Sequence, residues 1–367
     1  MKIGINSRSY QNNETGIPYF IKKLYKTLNK RHKEFKYVFL QTNIKKTLGL
    51  TKSLPVLNSM FGSFLFDCFF VNQLATQEKV NIFHGPSNIL PLFKKAGIKY
   101  VVTIHDLSFL IFPEQYFWFF RLYYNFIIKR SLINADVVIA DSYCTKKDIQ
   151  RFYKISENKI LVIYPGINST YLNSNKHKHL IKVKYFFSIS THPKRKNINS
   201  VLYAINRESR LKEYKFVIAG LIPKSQLIEL KKIISSLNLQ KNVIILGYVS
   251  EDNLVSLYQN AEFFIYPSFY EGFGFPVLEA MVCGCPVITS DNSSLLEITP
   301  NKTWLINPYK PSEIANKMKK MLSLSKNERM DIIRKNYLFS QKFTWQKTAE
   351  KYKNVFLFLT SKNNYDK

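Results

Sequence analysis

The amino-acid sequence predicts an α/β protein of two domains, each a parallel sheet with crossover helices. Short apolar runs of strand length alternate with longer mixed segments of helical length, the pattern expected of βαβ units. The alternation occurs in two series separated by a polar tract. The 367 residues also exceed what one hydrophobic core usually serves, while 46% apolar content is ordinary for a globular chain.

The first series opens with Met1-Lys2-Ile3-Gly4-Ile5-Asn6, which reads as a short buried strand. Gly16-Ile17-Pro18-Tyr19 reads as a turn ahead of a helix from Phe20 to Leu28, and Tyr37–Leu40, Lys99–Ile104 and Asp136–Ala140 read as further strands. The tract Asn173–His179 is nearly free of apolar residues and reads as a linker. Beyond it the second series offers Tyr185–Ile189, Lys215–Ala219, Val243–Leu246, Phe263–Tyr266 and Val287–Thr289 as strands. The expected division is a first domain over 1–172 and a second over 183–344, with neither internal repeat nor transmembrane segment.

Composition narrows the function classes. Four cysteines, Cys68, Cys144, Cys283 and Cys285, lack zinc-ligand spacing and are too few for a disulfide framework, so they read as buried thiols. The N-terminus has no signal-peptide pattern, and the aromatic stretch Phe109–Ile128 is too interrupted by Pro113, Glu114, Arg121 and Asn125 to span a bilayer. A cytoplasmic protein is expected. Lys and Arg exceed Asp and Glu by 29, which favours polyanions, but no zinc finger, RRM-type aromatic signature or basic arm argues for nucleic acid. The aromatic run Tyr116–Phe119 with the basic Lys129-Arg130 instead suggests peripheral contact with the anionic inner face of a membrane.

The segment carrying most chemistry is Tyr270-Glu271-Gly272-Phe273-Gly274-Phe275-Pro276-Val277-Leu278-Glu279-Ala280-Met281. Gly272 and Gly274 permit backbone angles closed to other residues, and Pro276 suits the first turn of a helix beginning near Phe275. The amides at such a helix start can hold a diphosphate. Glu271 and Glu279 stand eight positions apart, roughly 12 Å at most at helical rise, and carboxylates accept hydrogen bonds from sugar hydroxyls. From spacing alone a ligand role and a solvated helix residue remain equal readings of Glu279.

Glu271 and Glu279 with the residues between them resemble the E-x₇-E signature of the retaining glycosyltransferases of family 4, also called glycosyl transferase group 1. The likeness continues through Asn242–Val249, Ala261–Ser268 and Cys283–Ile288. It implies the GT-B architecture: two facing doubly wound Rossmann-like domains, the acceptor side in the first and the donor nucleotide-sugar in the second. It also implies that a last helix, expected over 345–362, crosses back to the first domain.

Individual roles follow from the same resemblance. His105, after the strand Val101–Ile104, resembles the family histidine that reaches the transferred sugar, and His84-Gly85-Pro86 either lines the acceptor cleft or is a ligand-free turn. Gly16 resembles the glycine loop that closes over the donor phosphates, although Pro18 removes an amide there. Ser190–Asn197 resembles the donor-phosphate segment, so Arg195 and Lys196 would stabilise the leaving diphosphate. The sequence departs from the family at Ser190 and Lys194, where glycine and proline are usual. Glu271 would bind donor-sugar hydroxyls and stay ionised beside these cations, Glu279 would hold the ribose, and the amides of Phe273, Gly274 and Phe275 would add donors.

The expected activity is a retaining, metal-independent hexosyl transfer, with no cofactor, from a nucleotide-sugar to a glycan or lipid-linked acceptor in surface polysaccharide synthesis. No D-x-D sequence occurs to hold Mg²⁺ or Mn²⁺. The run from His105 through Phe112-Pro113-Glu114 resembles members that build surface polysaccharides, often with GDP-mannose, which implies a hexosyl transfer with mannose as one candidate sugar. The competing classes are a sugar-nucleotide epimerase of the same fold and a catalytically silent scaffold.

Overall fold

A computed structural model of the chain describes residues 1–9, 16–41, 50–53, 62, 65–167, 171 and 179–361. It forms two compact units, Met1–Gly166 with Phe343–Lys367, and Ile167–Lys342. The linker expected at Asn173–His179 lies, up to Lys178, outside the described residues.

In the first unit seven strands are seen among the described residues: β1 (Lys2–Asn6), β2 (Lys36–Gln41), β3 (Leu50–Ser53), β4 (Ile82–Gly85), β5 (Lys99–Ile104), β6 (Val137–Ala140) and β7 (Ile160–Val162). All pair in parallel, in the order β3-β2-β1-β4-β5-β6-β7. The crossovers carry helices α1 (Gly16–Arg31), α2 (Val71–Gln77), α3 (Ser108–Ile111), α4 (Trp118–Asn134) and α5 (Tyr143–Tyr153). Parallel strands covered on both faces must be apolar throughout, and β5 accordingly buries every residue from Tyr100 to Ile104.

One local reading needs correction. Gly16, Ile17 and Pro18 are the first turn of α1 rather than a turn before it. The missing Pro18 amide costs nothing there, because first-turn amides have no intrahelical partner. After Phe112, Pro113–Gln115 form a single tight turn, and α4 begins at Trp118.

The closing helix Trp345–Ser361 packs within this first unit. Gly166 makes that possible, since a Cβ there would lie 2.1 Å from the Trp345 amide nitrogen. A buried polar chain links the helix to the sheet: Tyr25 OH lies 2.5 Å from His84 Nδ1, His84 Nε2 lies 2.8 Å from Thr103 Oγ1, and Thr103 Oγ1 lies 2.7 Å from Tyr352 OH. His84 is fully buried. Burial, aided by the nearby His105, depresses its pKa to about 3, so it is a neutral structural residue and not a cleft-lining one.

The second unit has six strands among the described residues: β8 (Tyr185–Ile189), β9 (Lys215–Ala219), β10 (Val243–Gly247), β11 (Phe264–Tyr266), β12 (Val287–Ser290) and β13 (Leu305–Ile306). They too are parallel, in the order β10-β9-β8-β11-β12-β13. Helices α6 (Ile198–Arg207), α7 (Lys224–Ser236), α8 (Glu251–Asn260), α9 (Phe275–Val282), α10 (Pro311–Leu322) and α11 (Lys326–Ser340) connect and cover them. Helix α6 shows why: Ile198, Val201, Leu202 and Ile205 recur at helical spacing and are all fully buried. Beneath them the Phe186 ring stacks between Phe216 and Phe263, at centroid distances of 5.3 and 5.2 Å. Both units are thus doubly wound α/β sheets.

Candidate active site

In an open parallel sheet a ligand crevice forms outside the carboxyl ends of the two central strands from which winding proceeds in opposite directions. In the second unit those strands are β8 and β11. The segment 190–197 leaves β8 and the segment 267–274 leaves β11, so the two motifs singled out in the sequence, 76 residues apart at Arg195 and Glu271, meet at this point.

The loops are tied together by backbone before any charge is involved. The Arg195 carbonyl accepts from the Phe269 amide at 3.0 Å and from Ser268 Oγ at 3.2 Å. Asn197 takes the left-handed conformation, φ 57°, and its side-chain amide donates to the Pro308 carbonyl at 2.7 Å, which ends the turn and starts α6. Lys196 and Arg195 are thereby held over the β11 loop.

Glu271 lies between them. Its Oε1 accepts from Lys196 Nζ at 2.5 Å, and its Oε2 lies 3.4 Å from Arg195, whose guanidinium also donates to the Tyr270 carbonyl at 2.9 Å. Lys196 Nζ further donates to Tyr266 OH at 2.5 Å and sits 4.9 Å from that ring's centroid. The Glu271 amide donates to Ser293 Oγ at 3.1 Å, while Ser294 Oγ reaches the carbonyls of Glu271 and Phe273 at 2.8 and 2.7 Å. Burial acts to raise the Glu271 carboxyl, but the charges of Lys196 and then Arg195 prevail and hold it at about 2. It is ionised near neutral pH and unsuited to act as a general acid. Two cations and one anion leave the buried cluster with a net positive charge, an arrangement that can hold an anionic group as charge develops on it.

Helix α9 begins beside this cluster. Gly274 caps it with φ 105°, and a Cβ there would approach Leu295 to 2.7 Å and Ile298 to 2.9 Å, so both conformation and space demand glycine. Pro276 has no amide proton, and the Val277 amide already donates to the Gly274 carbonyl at 3.1 Å. Phe273 and Phe275 pack edge to face across the start of the helix, centroids 5.0 Å apart. Glu279 is half-buried one turn further on and accepts from Tyr258 OH at 3.1 Å. Burial raises its carboxyl to about 7, the Tyr258 bond opposing and the Glu251 charge adding. Glu271 is therefore an acceptor only, whereas Glu279 near neutral pH also exists as a donor.

The first unit has its own crevice between β1 and β4, with β5 next to β4. His105 follows β5. Its Nδ1 lies 2.7 Å from Asp141 Oδ2, its Nε2 lies 2.7 Å from the Pro86 carbonyl, and its amide donates to Asn88 Oδ1 at 2.9 Å. The Phe20 ring meets the imidazole edge-on at 4.9 Å. Burial lowers the His105 pKa, but Asp141 outweighs it and the net direction is upward. With two acceptors facing its two nitrogens, the imidazolium is the form that satisfies both. Gly16, at the exposed start of α1 with φ 63°, has open space around a would-be Cβ.

Arg195, Lys196 and Glu271 are thus brought into contact, with Phe273, Gly274, Phe275 and Glu279 on the adjoining turn and helix. His105 and Gly16 belong to the first unit. Tyr266, Tyr258, Ser293 and Ser294 were not singled out from the sequence, nor were Asp141 and Asn88. Position is the one sequence signal, and only Tyr266 and Asp141 carry it, standing at or just after the carboxyl end of a predicted strand. Among the described residues no three His, Cys, Asp or Glu side chains converge as a metal site.

Comparison with known proteins agrees with the fold. Residues 172–339 match the family described as Glycosyl transferases group 1, and residues 23–171 match Glycosyltransferase Family 4. The O-antigen chain mannosyltransferase RfbU of Salmonella typhimurium is 30% identical over 208 residues, covering 56% of each chain. O-antigen chain mannosyltransferase B of Escherichia coli is 29% identical over 238 residues, covering 62% of this chain and 61% of the relative. The match to these relatives therefore spans little more than half of their length. Among solved structures, sucrose-phosphate synthase of Thermosynechococcus elongatus superposes with a TM-score of 0.77 over 98% of this chain and 99% of its own. At 17% identity that likeness is one of fold.

Proposed function

Because the chain belongs to the group 1 glycosyltransferases of GT-B fold, we propose that it transfers a hexosyl residue, mannose in this reading, from a nucleotide-sugar to a glycan or lipid-linked acceptor in O-antigen assembly, with retention of anomeric configuration. The observation that carries the proposal is the Lys196–Glu271–Arg195 cluster at the switch point of the second sheet. The names of the two mannosyltransferase relatives support the sugar.

The chemistry assigned to these residues is largely electrostatic. When the sugar–phosphate bond lengthens, charge accumulates on the nucleotide diphosphate, and Lys196 and Arg195 are fixed where they can offset it without reorganising. The amides of Phe273, Gly274 and Phe275 add donors at a helix terminus. Glu271, ionised and anchored by Ser293 and Ser294, accepts from donor-sugar hydroxyls. Glu279 holds the ribose, and its raised carboxyl lets it accept or donate there. The family resemblance adds Gly16 for the donor phosphates and His105, which Asp141 tethers, for the sugar. In a front-face reaction the departing phosphate oxygen takes the acceptor proton, so no protein nucleophile is needed. No metal ion is assigned, and activity is expected to persist in EDTA.

The test is a thermal-unfolding panel of UDP-, GDP-, ADP- and dTDP-sugars on the wild type and Glu279→Ala. A ligand at a hundred times its dissociation constant adds about 2.7 kcal/mol to the folded state. Stabilisation by one nucleotide class, lost in the variant, followed by sugar transfer to a lipid-linked acceptor from that donor, supports the proposal. Conversion of the donor with no acceptor present would favour the epimerase reading. A folded protein that no nucleotide-sugar stabilises, with or without acceptor, would overturn it in favour of a scaffold.

A further inference from the structure

Helix α4 buries Ile127, Ile128, Ser131 and Leu132, yet its opposite side is also apolar. Trp118, Phe119, Leu122 and Phe126 are 61, 53, 62 and 53% exposed, and Phe117 just before the helix is 70% exposed. Their spacing places Trp118, Leu122 and Phe126 along one ridge. A helix lying on a sheet in water alone would carry charged residues there. Tyr116, by contrast, turns inward, bonded to Ser108 at 2.7 Å and stacked on Phe120.

The surface extends beyond the helix. Ile127 clusters with Cys68 and Ile89, and Arg130 lies 3.5 Å from the Leu92 carbonyl, so the segment 89–93 packs directly beside α4. That segment ends in Phe93, which pairs with Phe69 at 6.2 Å, both rings exposed. Neither the stretch 88–99 nor the stretch 115–135 contains an Asp or Glu, whereas Lys94, Lys95 and Lys129 are exposed on them. One of these, Lys94, is paired, with Asp136 at 2.9 Å.

We propose that this face, the outer ridge of α4 with the Phe69–Phe93 pair and its rim of lysines, docks the protein on an anionic lipid bilayer. Aromatic rings settle at the boundary between headgroups and acyl chains, and lysines beside them meet acidic headgroups. Charge separates this occupant from a second copy of the chain, because a symmetric pairing would set these lysines against their own copies. The helix lies on the membrane rather than through it, being 17 residues long with three cations, and among the described residues no helix is long and apolar enough to cross. The surface lies away from the Lys196–Glu271–Arg195 cluster in sequence and in unit, so the inference stands or falls apart from the transfer reaction.

The chain carries its own reporter. Of its tryptophans only Trp118 is exposed, Trp304 and Trp345 being 4 and 5% exposed. The full chain is floated at low salt with vesicles of phosphatidylcholine alone and of phosphatidylcholine mixed with phosphatidylglycerol. Binding to the anionic vesicles only, with a blue shift of Trp118 and quenching by brominated lipid, is expected. Trp118→Phe should keep flotation and lose the spectral change, Leu122→Ser with Phe126→Ser should weaken flotation, and each of Lys95→Gln and Lys129→Gln should lower partitioning about fivefold. All five positions are on the surface, and circular dichroism checks that the variants fold. Absence of flotation on anionic vesicles overturns the proposal. So does flotation without Trp118 quenching, which would place the contact elsewhere, and so does a self-association in sedimentation that the Leu122→Ser/Phe126→Ser pair abolishes.

Discussion

Glu271→Gln keeps the shape of the side chain and removes its charge, and the consequence can be worked from the structure. The carboxyl is 7% exposed and falls from an ordinary value of 4.5 to about 2 in the folded chain. That difference corresponds to about 3 kcal/mol of stability at neutral pH. Because the folded value is the lower one, the contribution is complete above the unfolded value and is lost as pH falls toward the folded one. By the same relation about 1 kcal/mol remains at pH 3. The penalty of the substitution should therefore shrink by about 2 kcal/mol between pH 7 and pH 3. Any cost of leaving Lys196 beside a neutral amide enters both values and cancels in the difference. The measurement is urea unfolding followed by Trp304, which is buried in the same unit, in a Trp118→Phe/Trp345→Phe background with and without the substitution. A penalty equal at the two pH values would refute the ionised cluster.

Four further substitutions probe the same architecture. Gly274→Ala should cost about 2–4 kcal/mol, from strained backbone and the crowding of Leu295 and Ile298, seen as a lowered unfolding midpoint. Gly16→Ala, at positive φ but in open space, should cost about 1 kcal/mol on the same assay. For Glu279, the folded value lies above the unfolded one, so wild-type stability declines as pH rises from about 4.5 through about 7. Glu279→Gln should consequently gain on the wild type by roughly 1–2 kcal/mol between pH 5 and pH 8, allowing for partial exposure, while losing nucleotide binding. His105 is raised in the folded chain, so its contribution is present below its ordinary value and is lost as pH rises through the folded one. His105→Gln should then cost about 1.5–3 kcal/mol at pH 5 and less at pH 9 by chemical denaturation.

Much of the fold is legible in the sequence because a parallel strand covered on both faces has to be apolar along its whole length. The runs Lys99–Ile104, Tyr185–Ile189 and Lys215–Ala219 coincide with β5, β8 and β9. Helix starts are less legible where proline is involved: Pro18 suggests a turn, yet in the first turn of a helix it loses nothing, and α1 begins two residues earlier. The start of α9 is legible because Gly274 and Pro276 specify it from both sides.

The chemistry divides in the same way. The sequence by itself determined the alternation of strands and helices and the glycine-rich turn before α9, and, through a family resemblance, it singled out Arg195, Lys196, Glu271, Glu279 and His105 as candidates. It carried no mark of what holds them. Tyr266 and Ser293 approach Glu271 because β8, β11 and β12 lie side by side, and that order is settled by crossover handedness and packing rather than by any local pattern. That Glu271 stays ionised follows from its cationic neighbours in the motifs, whereas only the tertiary structure could decide that Glu279 is partly protonated near neutral pH. A carboxyl's pKa follows from its burial and the charges within a few ångströms, which here come from residues far away along the chain.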